Sequence, residues 1–353
     1  MGTKVLLAID GNSLVHRAFH AQVATGFRTS DGRPMWAVRG LVAQLLAAVE
    51  RIDPCVVVVG FDDAQRNLRQ DRWPQYKAGR VEKPEALVEQ LDRAVRTIRE
   101  LGVQVVIPPG LEADDVLASA ARLAPEHGFK SVLMTSDRDA FALIDETTSV
   151  LRIINGGVEA SPLLTPQRLG MMLGIRPQQY RDFAALRGDP SDNLPGVHGI
   201  GPKTAATLLA AFGSAAAVFA DVAAGGGAVA ETVGPAVIQR LADPRSRRRW
   251  ELNCQVMAFH PDLELGLPMT SPEQLWPLSG TVVREVFGLL KLPSTLPTAL
   301  RVLAHEDVPD VVERTAWSTD RSAEPAWWST GGARQRYAPL PKPKPVVEQP
   351  ALF

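Results

Sequence analysis

The sequence predicts an α/β protein built on a doubly wound, mostly parallel sheet, followed by an all-helical region. Short apolar runs alternate with longer amphipathic stretches over the first half of the 353 residues, and this βα alternation is typical of parallel sheets. From about residue 166 the apolar spacing becomes helical throughout, with glycine turns between short helices. Two regions of different architecture are therefore expected along the chain.

Four apolar runs are predicted to form buried parallel strands, because strands covered on both faces need no polar alternation. They are "KVLLAI" (4–9), "CVVVVGF" (55–61), "VQVVIP" (103–108) and "SVLMT" (131–135). Apolar residues recur with helical spacing in the segments between them, which predicts helices there. Those segments are "MWAVRGLVAQLLAAVERI", "PEALVEQLDRAVRTIRELG" and "ADDVLASAARLA".

The segment 62–83, "DDAQRNLRQDRWPQYKAGRVEK", fits neither the strand nor the helix period. A long irregular insertion in a compact domain is usually functional or disordered. Bases interleaved with aromatic residues suit a nucleic-acid backbone and its stacked bases, and a solvated basic loop is the alternative. The bases and aromatic residues are Arg66, Arg69, Arg72, Trp73, Tyr76, Lys77, Arg80 and Lys83.

Seven acids follow the predicted strands, and the carboxyl ends of parallel strands share one edge of a sheet. A single acid there is explained by helix capping or a turn, but seven together repel one another unless cations offset them. Oxygen ligands favour Mg²⁺ or Mn²⁺, and two such ions promote phosphodiester hydrolysis. The acids are Asp10, Asp62, Glu112, Asp114, Asp115, Asp137 and Asp139.

A second motif, "LRGDPSDNLPGVHGIGPKTA" (186–205), contains a glycine-rich hairpin between short helices. Bare backbone N–H groups and a helix N-terminus suit a phosphate, and Lys203 adds a positive charge. Asp189 and Asp192 offer two more carboxylates just upstream. A glycine-rich turn alone is more often a plain turn, so the attached "GDPSDNLPG" makes the motif specific.

Composition excludes several classes of protein. The formal charge of −1 does not indicate a class of binding partner. The two cysteines provide neither a disulfide framework nor the spacing of a zinc site. No apolar run approaches the ~20 residues of a membrane helix, and "KVLLAID" is too short for a signal sequence. We therefore expect a cytoplasmic protein with no membrane partner.

Five motifs resemble the bacterial 5′-3′ exonuclease and flap endonuclease family, the stand-alone relatives of the 5′-nuclease domain of DNA polymerase I. The motifs are "DGNSLVHRAFHA", "FDDAQRNLRQDRWPQYKAGR", "GLEADD", "TSDRDAFAL" and "GDPSDNLPGVHGIGPKTA". The resemblance covers roughly residues 4–290. It implies a PIN-like catalytic domain (1–165) with a helical arch at about 62–83, and a helical DNA-binding domain (166–295) with a helix-hairpin-helix at 194–212. A variable, largely disordered tail (296–353) follows, with no polymerase domain.

The resemblance also implies roles for residues. The seven acids above, with Asp189 and Asp192, stand at the family's metal-binding positions for two Mg²⁺ or Mn²⁺, and the hairpin at a site for K⁺. Tyr76 matches a residue that stacks on the scissile nucleotide, and Lys77 and Arg80 match residues that clamp its phosphate. Further DNA contacts are expected from Arg66, Arg69, Arg72, Gly196, Gly199, Gly201, Lys203 and Thr204.

The activity implied is hydrolysis at 5′ ends and 5′ flaps of duplex DNA junctions, including RNA-primed duplexes, in primer removal, replication and repair. Departures from the family pattern are His16, Leu111 and Trp73, none of them at a metal position. Two other interpretations stay open: a PIN-like nuclease acting on RNA, and a non-catalytic protein that only clamps branched DNA.

The C-terminal "QPALF" resembles the peptide with which bacterial replication proteins dock on the sliding clamp. An apolar pair, Leu352 and Phe353, would fill a pocket on the clamp, and Gln349 would hydrogen-bond at its edge. An idle terminus is the alternative. Similarly, "RSRRRW" (245–250) suits either a duplex-contacting surface or a solvated helix face.

Overall fold

The catalytic half is organised around one six-stranded sheet. This computed structural model describes residues 4–307, apart from the side chain of residue 274. The strands are β1 (Val5–Asp10), β2 (Val56–Gly60), β3 (Gln104–Val106), β4 (Lys130–Thr135), β5 (Thr148–Arg152) and β6 (Leu163–Leu164). Their order is β3-β2-β1-β4-β5-β6, and all pairs are parallel except that between β5 and the edge strand β6.

Helices connect the strands and cover both faces of the sheet. The first half of the chain contains α1 (Gly11–Gln22), α2 (Trp36–Ile52), α3 (Leu68–Arg72), α4 (Glu85–Glu100), α5 (Ala113–Glu126) and α6 (Gly157–Ala160). Alternate residues of β1 point to opposite faces, as the pleat of a strand requires. Leu6 and Ala8 join one buried cluster together with α5, whereas Leu7 and Ile9 join another together with α2 and α4.

Between residues 166 and 307 the regular structure is mostly helical, as predicted. The helices are α7 (Pro166–Leu173), α8 (Tyr180–Arg187), α9 (Pro202–Phe212), α10 (Ala215–Ala223), α11 (Gly227–Val233), α12 (Pro235–Ala242), α13 (Pro244–Val256), α14 (Gly280–Leu289) and α15 (Leu296–Ala304). Two short strands, β7 (Gly188–Asp189) and β8 (Leu194–Pro195), pair between α8 and α9. Helices α8 and α9 extend the cluster that contains α5, whereas α14 and α15 pack into the cluster on the other face.

The four predicted strands and the parallel arrangement are confirmed, but two strands of the sheet were missed, as were the short strands β7 and β8 of the helical region. Strand β5 has the sequence "TSVLR", in which Thr148, Ser149 and Arg152 are polar. It therefore does not form a continuous apolar run like those of the four predicted strands. Strand β6 has only two residues. Helix α15 also lies in the region predicted as irregular tail, where Ala299, Leu300 and Leu303 are buried.

The segment 62–83 does not form a long helical arch in this structure. It contains only the five-residue helix α3, followed by turns that end near Arg80. Asn67 begins that helix, because its side-chain oxygen accepts hydrogen bonds from the backbone N–H groups of Arg69 (2.9 Å) and Gln70 (3.1 Å). The segment is therefore ordered by short turns and by contacts with the rest of the domain.

Within residues 4–307, no helix taken singly has the length and apolarity needed to cross a bilayer. One pair of helices, α9 and α10, meets the criterion only when both are counted together across a bend of 82°. Several side chains of this pair, including Leu208, Leu209 and Val218, are buried in the core of the helical half.

Candidate active site

A cleft of about 710 Å³ opens at the carboxyl edge of the sheet. Its floor is formed by residues that end or follow β1, β2 and β4 and by the first turn of α5, as the strand-end argument predicts. Six of the nine predicted acids line it, and the acids among its lining residues are Asp10, Asp62, Glu112, Asp114, Asp137 and Asp189.

Asp10 ends β1 and begins α1. One carboxylate oxygen accepts a hydrogen bond from the backbone N–H of Ser13 (2.9 Å), and the other accepts one from the Thr135 hydroxyl (2.7 Å). Burial, with smaller contributions from the nearby carboxylates of Asp62 and Asp137, outweighs those two hydrogen bonds and raises the pKa of Asp10 to about 7. Asp10 is therefore placed rigidly in a site that disfavours its charge.

Asp62 follows β2 and is held between two elements. Its Oδ2 accepts a hydrogen bond from the Asn12 side-chain amide (2.7 Å), and its Oδ1 accepts one from the backbone N–H of Ala113 at the start of α5 (2.9 Å). Burial raises the pKa of Asp62, although the bond from Ala113 opposes the change. The Asn12 contact was not foreseen, because a side-chain amide carries no strand or charge signal.

Asp114 and Asp139 each have one buried oxygen, Oδ1, without a hydrogen-bond partner among the described residues. Burial raises the pKa of Asp139 to about 8 and that of Asp114 well above its usual range, and Asp137 adds to both shifts. Leaving a buried acceptor unpaired costs roughly 1–3 kcal/mol. These two carboxylates therefore lack the partners that a buried charge requires.

Glu112 and Asp115 are in the opposite situation, since basic side chains satisfy them. Glu112 pairs with Arg69 (3.1 Å) and with Lys77, and also accepts hydrogen bonds from Tyr76 (3.1 Å) and Asn67 (3.0 Å). Burial acts to raise the pKa of Glu112, but Lys77 and Arg69 outweigh it and hold the pKa below its usual value. The Glu112 carboxylate is therefore expected to stay charged.

Asp115 is fully buried and turns away from the cleft. Its two oxygens accept a bidentate pair of hydrogen bonds from Arg69 (2.6 and 2.8 Å), and it also accepts from the backbone N–H groups of His260 and Glu112. These contacts overcome burial and lower its pKa. Successive helical residues point about 100° apart, so Asp114 faces the cleft whereas Asp115 faces Arg69.

Arg69 was predicted to contact DNA, but in this structure its side chain lies inside the protein. Only 5% of the residue is exposed, and its guanidinium contacts Glu112, Asp115 and the backbone carbonyls of Val256 and Ala258. It joins the 62–83 segment to α5 and to the chain that follows α13. Its charge is neutralised by ion pairs inside the protein and is not available to bind a phosphate.

The stacking role predicted for Tyr76 does not fit this conformation either. Its ring is buried in the hydrophobic core, and its hydroxyl donates a hydrogen bond to Glu112. Lys77 and Arg80, by contrast, both line the cleft, and Arg80 pairs with Asp192 (2.6 Å). Lys83, which was noted only as one of several bases, lines the cleft as well.

The remaining predicted DNA contacts of this segment lie on its surface. Arg66 pairs with Asp71 (2.7 Å), and more than half of each side chain is exposed. The Arg72 guanidinium lies 4.7 Å from the ring centre of Trp73. Both arginines are accessible, but neither lines the cleft.

Asp189 and Asp192 belong to the loop between α8 and α9. Asp189 lines the cleft, accepts hydrogen bonds from the backbone N–H and hydroxyl of Ser191 (2.9 and 2.5 Å), and lies 3.6 Å from Arg187. Asp192 is buried and accepts a hydrogen bond from Arg80 (2.6 Å). The helical half therefore contributes Asp189 and Arg187 to the cleft, and Asp192 pairs with Arg80, which also lines it.

The hairpin glycines follow at residues 196, 199 and 201. A Cβ on Gly196 would lie 2.2 Å from the carbonyl oxygen of Arg187, so only glycine fits there. Gly199 has a positive φ of 72°, which favours glycine. Gly201 precedes α9, whose first turn includes the exposed Lys203 and the partly buried Thr204 and has no side-chain cap at Gly201.

The donor set fits hard divalent cations. All the acids that line the cleft offer oxygen, and two neighbouring carboxylates have unpaired buried oxygens, as a site for Mg²⁺ or Mn²⁺ requires. As the side chains stand, no three acid, histidine or cysteine residues within 4–307 converge closely enough to enclose an ion. Ion binding therefore requires some carboxylates to rotate towards one another.

Comparison with known proteins shows which sequences and folds the chain resembles. Two family models match the chain: "5'-3' exonuclease, N-terminal resolvase-like domain" over residues 5–169, and "5'-3' exonuclease, C-terminal SAM fold" over residues 175–271. DNA polymerase I of Mycobacterium tuberculosis is 39% identical over 228 residues, which are 65% of this chain and 25% of the polymerase. The chain therefore spans about a quarter of the length of the curated relatives it matches.

Two solved structures share the fold. The T5 5′-exonuclease with bound zinc superposes with a TM-score of 0.58 at 19% identity, covering 85% of this chain and 100% of that one. The bacteriophage T5 flap endonuclease, in a pseudo-enzyme-product complex with DNA and metal ions, gives a TM-score of 0.56 at 17% identity, covering 82% and 100%. Identities this low establish similarity of fold alone.

Proposed function

The chain belongs to the 5′-3′ exonuclease family, and from that membership we propose that it hydrolyses phosphodiesters at 5′ ends and 5′ flaps of duplex DNA junctions. One observation carries the proposal: acids from four segments of the catalytic half meet Asp189 and Arg187 of the helical half around one cleft. A cleft that combines unpaired carboxylates with Lys77, Arg80 and Lys83 suits a phosphate and the cations that accompany it.

We propose that the cleft binds two Mg²⁺ or Mn²⁺ ions. The carboxylates that need a cation are Asp10, Asp62, Asp114, Asp137 and Asp139, and Asp189 and Asp192 lie on the hairpin side. Glu112 and Asp115 already have cationic partners, so they would bind an ion only if Lys77 or Arg69 moved. Bound ions would supply an activated water and stabilise the leaving oxygen.

The chain's own bases would orient the strand that is cut. Lys77 and Arg80 line the cleft on the side of the 62–83 segment, and Arg187 lines it on the side of the helical half. Their positive charges would offset the negative charge that develops on the reacting phosphate. Asn12 holds the Asp62 carboxylate, and Thr135 holds that of Asp10. These two side chains would preorganise the acidic face.

The hairpin at 194–212 would hold the duplex. Gly199 and Gly201 are exposed, so their backbone N–H groups would be available to phosphates, and Pro202 at the start of α9 lines the same cleft. Contacts of this kind bind phosphates and read no bases, so selectivity would be for junction structure. The bacteriophage T5 flap endonuclease, which shares the fold, was solved with DNA and metal ions. A K⁺ at the hairpin stays a prediction of the family resemblance.

In a cell this activity suits RNA primer removal and flap trimming in replication and repair, and a cytoplasmic location stays a prediction. The proposed clamp contact through Gln349, Leu352 and Phe353 lies outside the described residues. Deleting residues 349–353 is expected to abolish clamp binding without changing cleavage of a free flap substrate. Equal clamp affinity with and without those residues would exclude the contact.

The decisive experiment is Asp137→Ala on a labelled 5′-flap DNA. Asp137 lines the cleft and raises the pKa of three neighbouring carboxylates, so its removal should cripple ion binding. We expect cleavage in Mg²⁺ to fall by at least about 10²-fold, whereas DNA binding in Ca²⁺ persists. Product mapping by gel and binding by fluorescence anisotropy measure the two quantities.

Glu146→Ala is the matched control, because Glu146 is an exposed acid on the turn before β5. It should leave both quantities unchanged. Full cleavage by Asp137→Ala would place the active site elsewhere. If the wild-type chain bound the flap DNA without cleaving it, the result would favour a non-catalytic protein that only holds branched DNA. Cleavage of RNA in preference to flap DNA would favour a PIN-like nuclease acting on RNA.

A further inference from the structure

The segment 240–251 carries five arginines and two acids, the strongest basic bias in the helical half outside the cleft. It includes the end of α12 and the first two turns of α13. The mechanism proposed above does not use these residues, and the sequence alone cannot distinguish a binding surface from a solvated helix. The contacts of α12 and α13 with the 194–212 hairpin show where these arginines lie relative to the hairpin.

The tip of the hairpin is in contact with α12. The Arg240 guanidinium donates a hydrogen bond to the carbonyl oxygen of Gly199 (3.0 Å). A Cβ built on Gly199 would lie 2.5 Å from the same guanidinium, so the two groups pack directly together. Arg240 is nevertheless exposed at the surface.

The base of the hairpin is in contact with the far end of α13. The buried Asn253 side chain donates hydrogen bonds to the carbonyl oxygens of Ala185 (2.9 Å), in α8 before the hairpin, and of Pro195 (3.0 Å), at the start of the hairpin. At the other end of α13, the Ser246 hydroxyl donates to the carbonyl oxygen of Arg240 (2.6 Å). The first two turns of α13 therefore lie alongside the hairpin between two fixed contacts.

The arginines of α13 point away from these contacts. Ser246 and Asn253 face inward, whereas Arg245, Arg248 and Arg249 are exposed with the i, i+3 and i+4 spacing that puts side chains on one face of a helix. Arg245 pairs with Asp243 (2.7 Å). Arg248 and Arg249 have no ion-pair partner within residues 4–307 and are available to bind an anion.

We propose that this face of α13, with Arg240 at the hairpin tip, is a second contact surface for the phosphate backbone of the DNA duplex held by the hairpin. The inference rests on the proposed function, because it assigns the duplex as partner. Residues 245–249 rise about 6 Å along the helix. A duplex carries one negative charge per about 1.7 Å of its axis, so several phosphates pass within reach of this face.

The test is the double variant Arg248→Gln/Arg249→Gln, binding a 5′-flap DNA in Ca²⁺ over a range of salt concentrations. Each lost phosphate contact should reduce the slope of log Kd against log salt by about 0.9, so the expected change is about 1.8. The control is Arg99→Gln/Lys130→Gln, which removes two exposed charges elsewhere, at the end of α4 and the start of β4. Its slope should match that of the wild-type chain.

Two outcomes would overturn the inference. One is an unchanged slope in the Arg248→Gln/Arg249→Gln variant. The other is an equal loss of affinity for a single-stranded oligonucleotide of the same length, which would assign the arginines to the unpaired strand. Because binding is measured without turnover, both results can be read even if the chain proves unable to cleave flaps, and the two failures remain distinguishable.

Discussion

The acids around α5 fall into a paired half and an unpaired half, although they come from one sequence motif. Glu112 and Asp115 are held by Arg69 and Lys77, and their pKa values are lowered. Asp114 lies between them in sequence, yet one of its oxygens has no partner among the described residues and its pKa is raised. The paired half stabilises the fold, whereas the unpaired half has no basic partner in the part of the chain that the structure describes and is available to bind metal ions.

This difference shows that clustering of carboxylates in sequence does not by itself define a metal site. Arginine and lysine side chains already pair with some of these carboxylates. The carboxylates still available to bind a metal ion are those that are buried close to other carboxylates and have no such partner. A pair of carboxylates about 4 Å apart repels by roughly 4 kcal/mol at an effective dielectric of about 20. That repulsion remains only in the unpaired half, and it can be relieved by protons or by ions.

The largest expected effect concerns the paired half. Arg69→Met removes the guanidinium that satisfies both oxygens of Asp115 and one of Glu112, and leaves buried charges without a partner. We expect the free energy of unfolding to fall by about 3–5 kcal/mol. Urea denaturation followed by circular dichroism measures it.

Arg66→Met is the matched control on the same segment. Arg66 pairs with Asp71 at the surface, so its loss should change stability by less than about 1 kcal/mol. If the two variants were equally stable, the paired half would not stabilise the fold and the division of the cluster would fail.

The second effect concerns ions bound by the unpaired half. Mg²⁺ at 100 times its Kd should raise the free energy of unfolding of the wild-type chain by about 2.7 kcal/mol, because only the folded state assembles the site. Asp114→Asn should lose most of this gain while remaining at least as stable as the wild-type chain in EDTA, since it removes an unpaired buried charge.

Glu146→Gln, which removes an exposed acid, should keep the full response to Mg²⁺. Differential scanning fluorimetry with Mg²⁺ titrations measures the three proteins together. An unchanged Mg²⁺ response in Asp114→Asn would remove Asp114 from the site, and a loss of stability in EDTA would place it in the paired half.

Per proton and per pH unit, the smallest effect is the pH dependence of stability in EDTA. Asp10 and Asp139 have pKa values raised to about 7 and about 8 in the folded state, against 3.8 for an ordinary aspartate. Between these values the folded state binds more protons than the unfolded state, so their contribution is full below about pH 4 and is lost by about pH 8. The expected slope is about −1.4 kcal/mol per pH unit for each proton held.

Urea unfolding in EDTA between pH 5 and pH 8 measures this slope, and Asp139→Asn should make it shallower. Asp115 titrates in the opposite sense, since its pKa is lowered, and its contribution is lost only as the pH falls below the ordinary aspartate range. If stability instead rose between pH 5 and pH 8, the carboxylates of Asp10 and Asp139 would already have favourable partners for their charged forms.

Much of the fold was predictable because it depends on local apolar patterns. The runs around β1, β2 and β4 are continuous and buried, and each was assigned within two residues of its observed bounds. Strand β5 and helix α15 were missed, since polar residues interrupt the one and the other stands next to an irregular tail. The helical arch was inferred from family resemblance, and only the short helix α3 is present in that segment.

The roles of individual side chains were less predictable, because they depend on partners distant in sequence. Tyr76 was expected to stack on the scissile nucleotide, but its ring is buried and its hydroxyl reaches Glu112. Asn12 carries no charge and was overlooked, although it holds Asp62 in place. Neither contact leaves a trace in composition or periodicity.

The sequence by itself determined that acids gather at one edge of a sheet, because parallel strands all end on the same side and an acid follows each of the four predicted strands. Only the tertiary structure decided which acids remain free. The carbonyl groups that hold Arg69 belong to Val256 and Ala258, and residues so far apart in sequence are brought together by packing of the two halves. That packing directs Arg69 into the protein and leaves Asp114 facing the cleft.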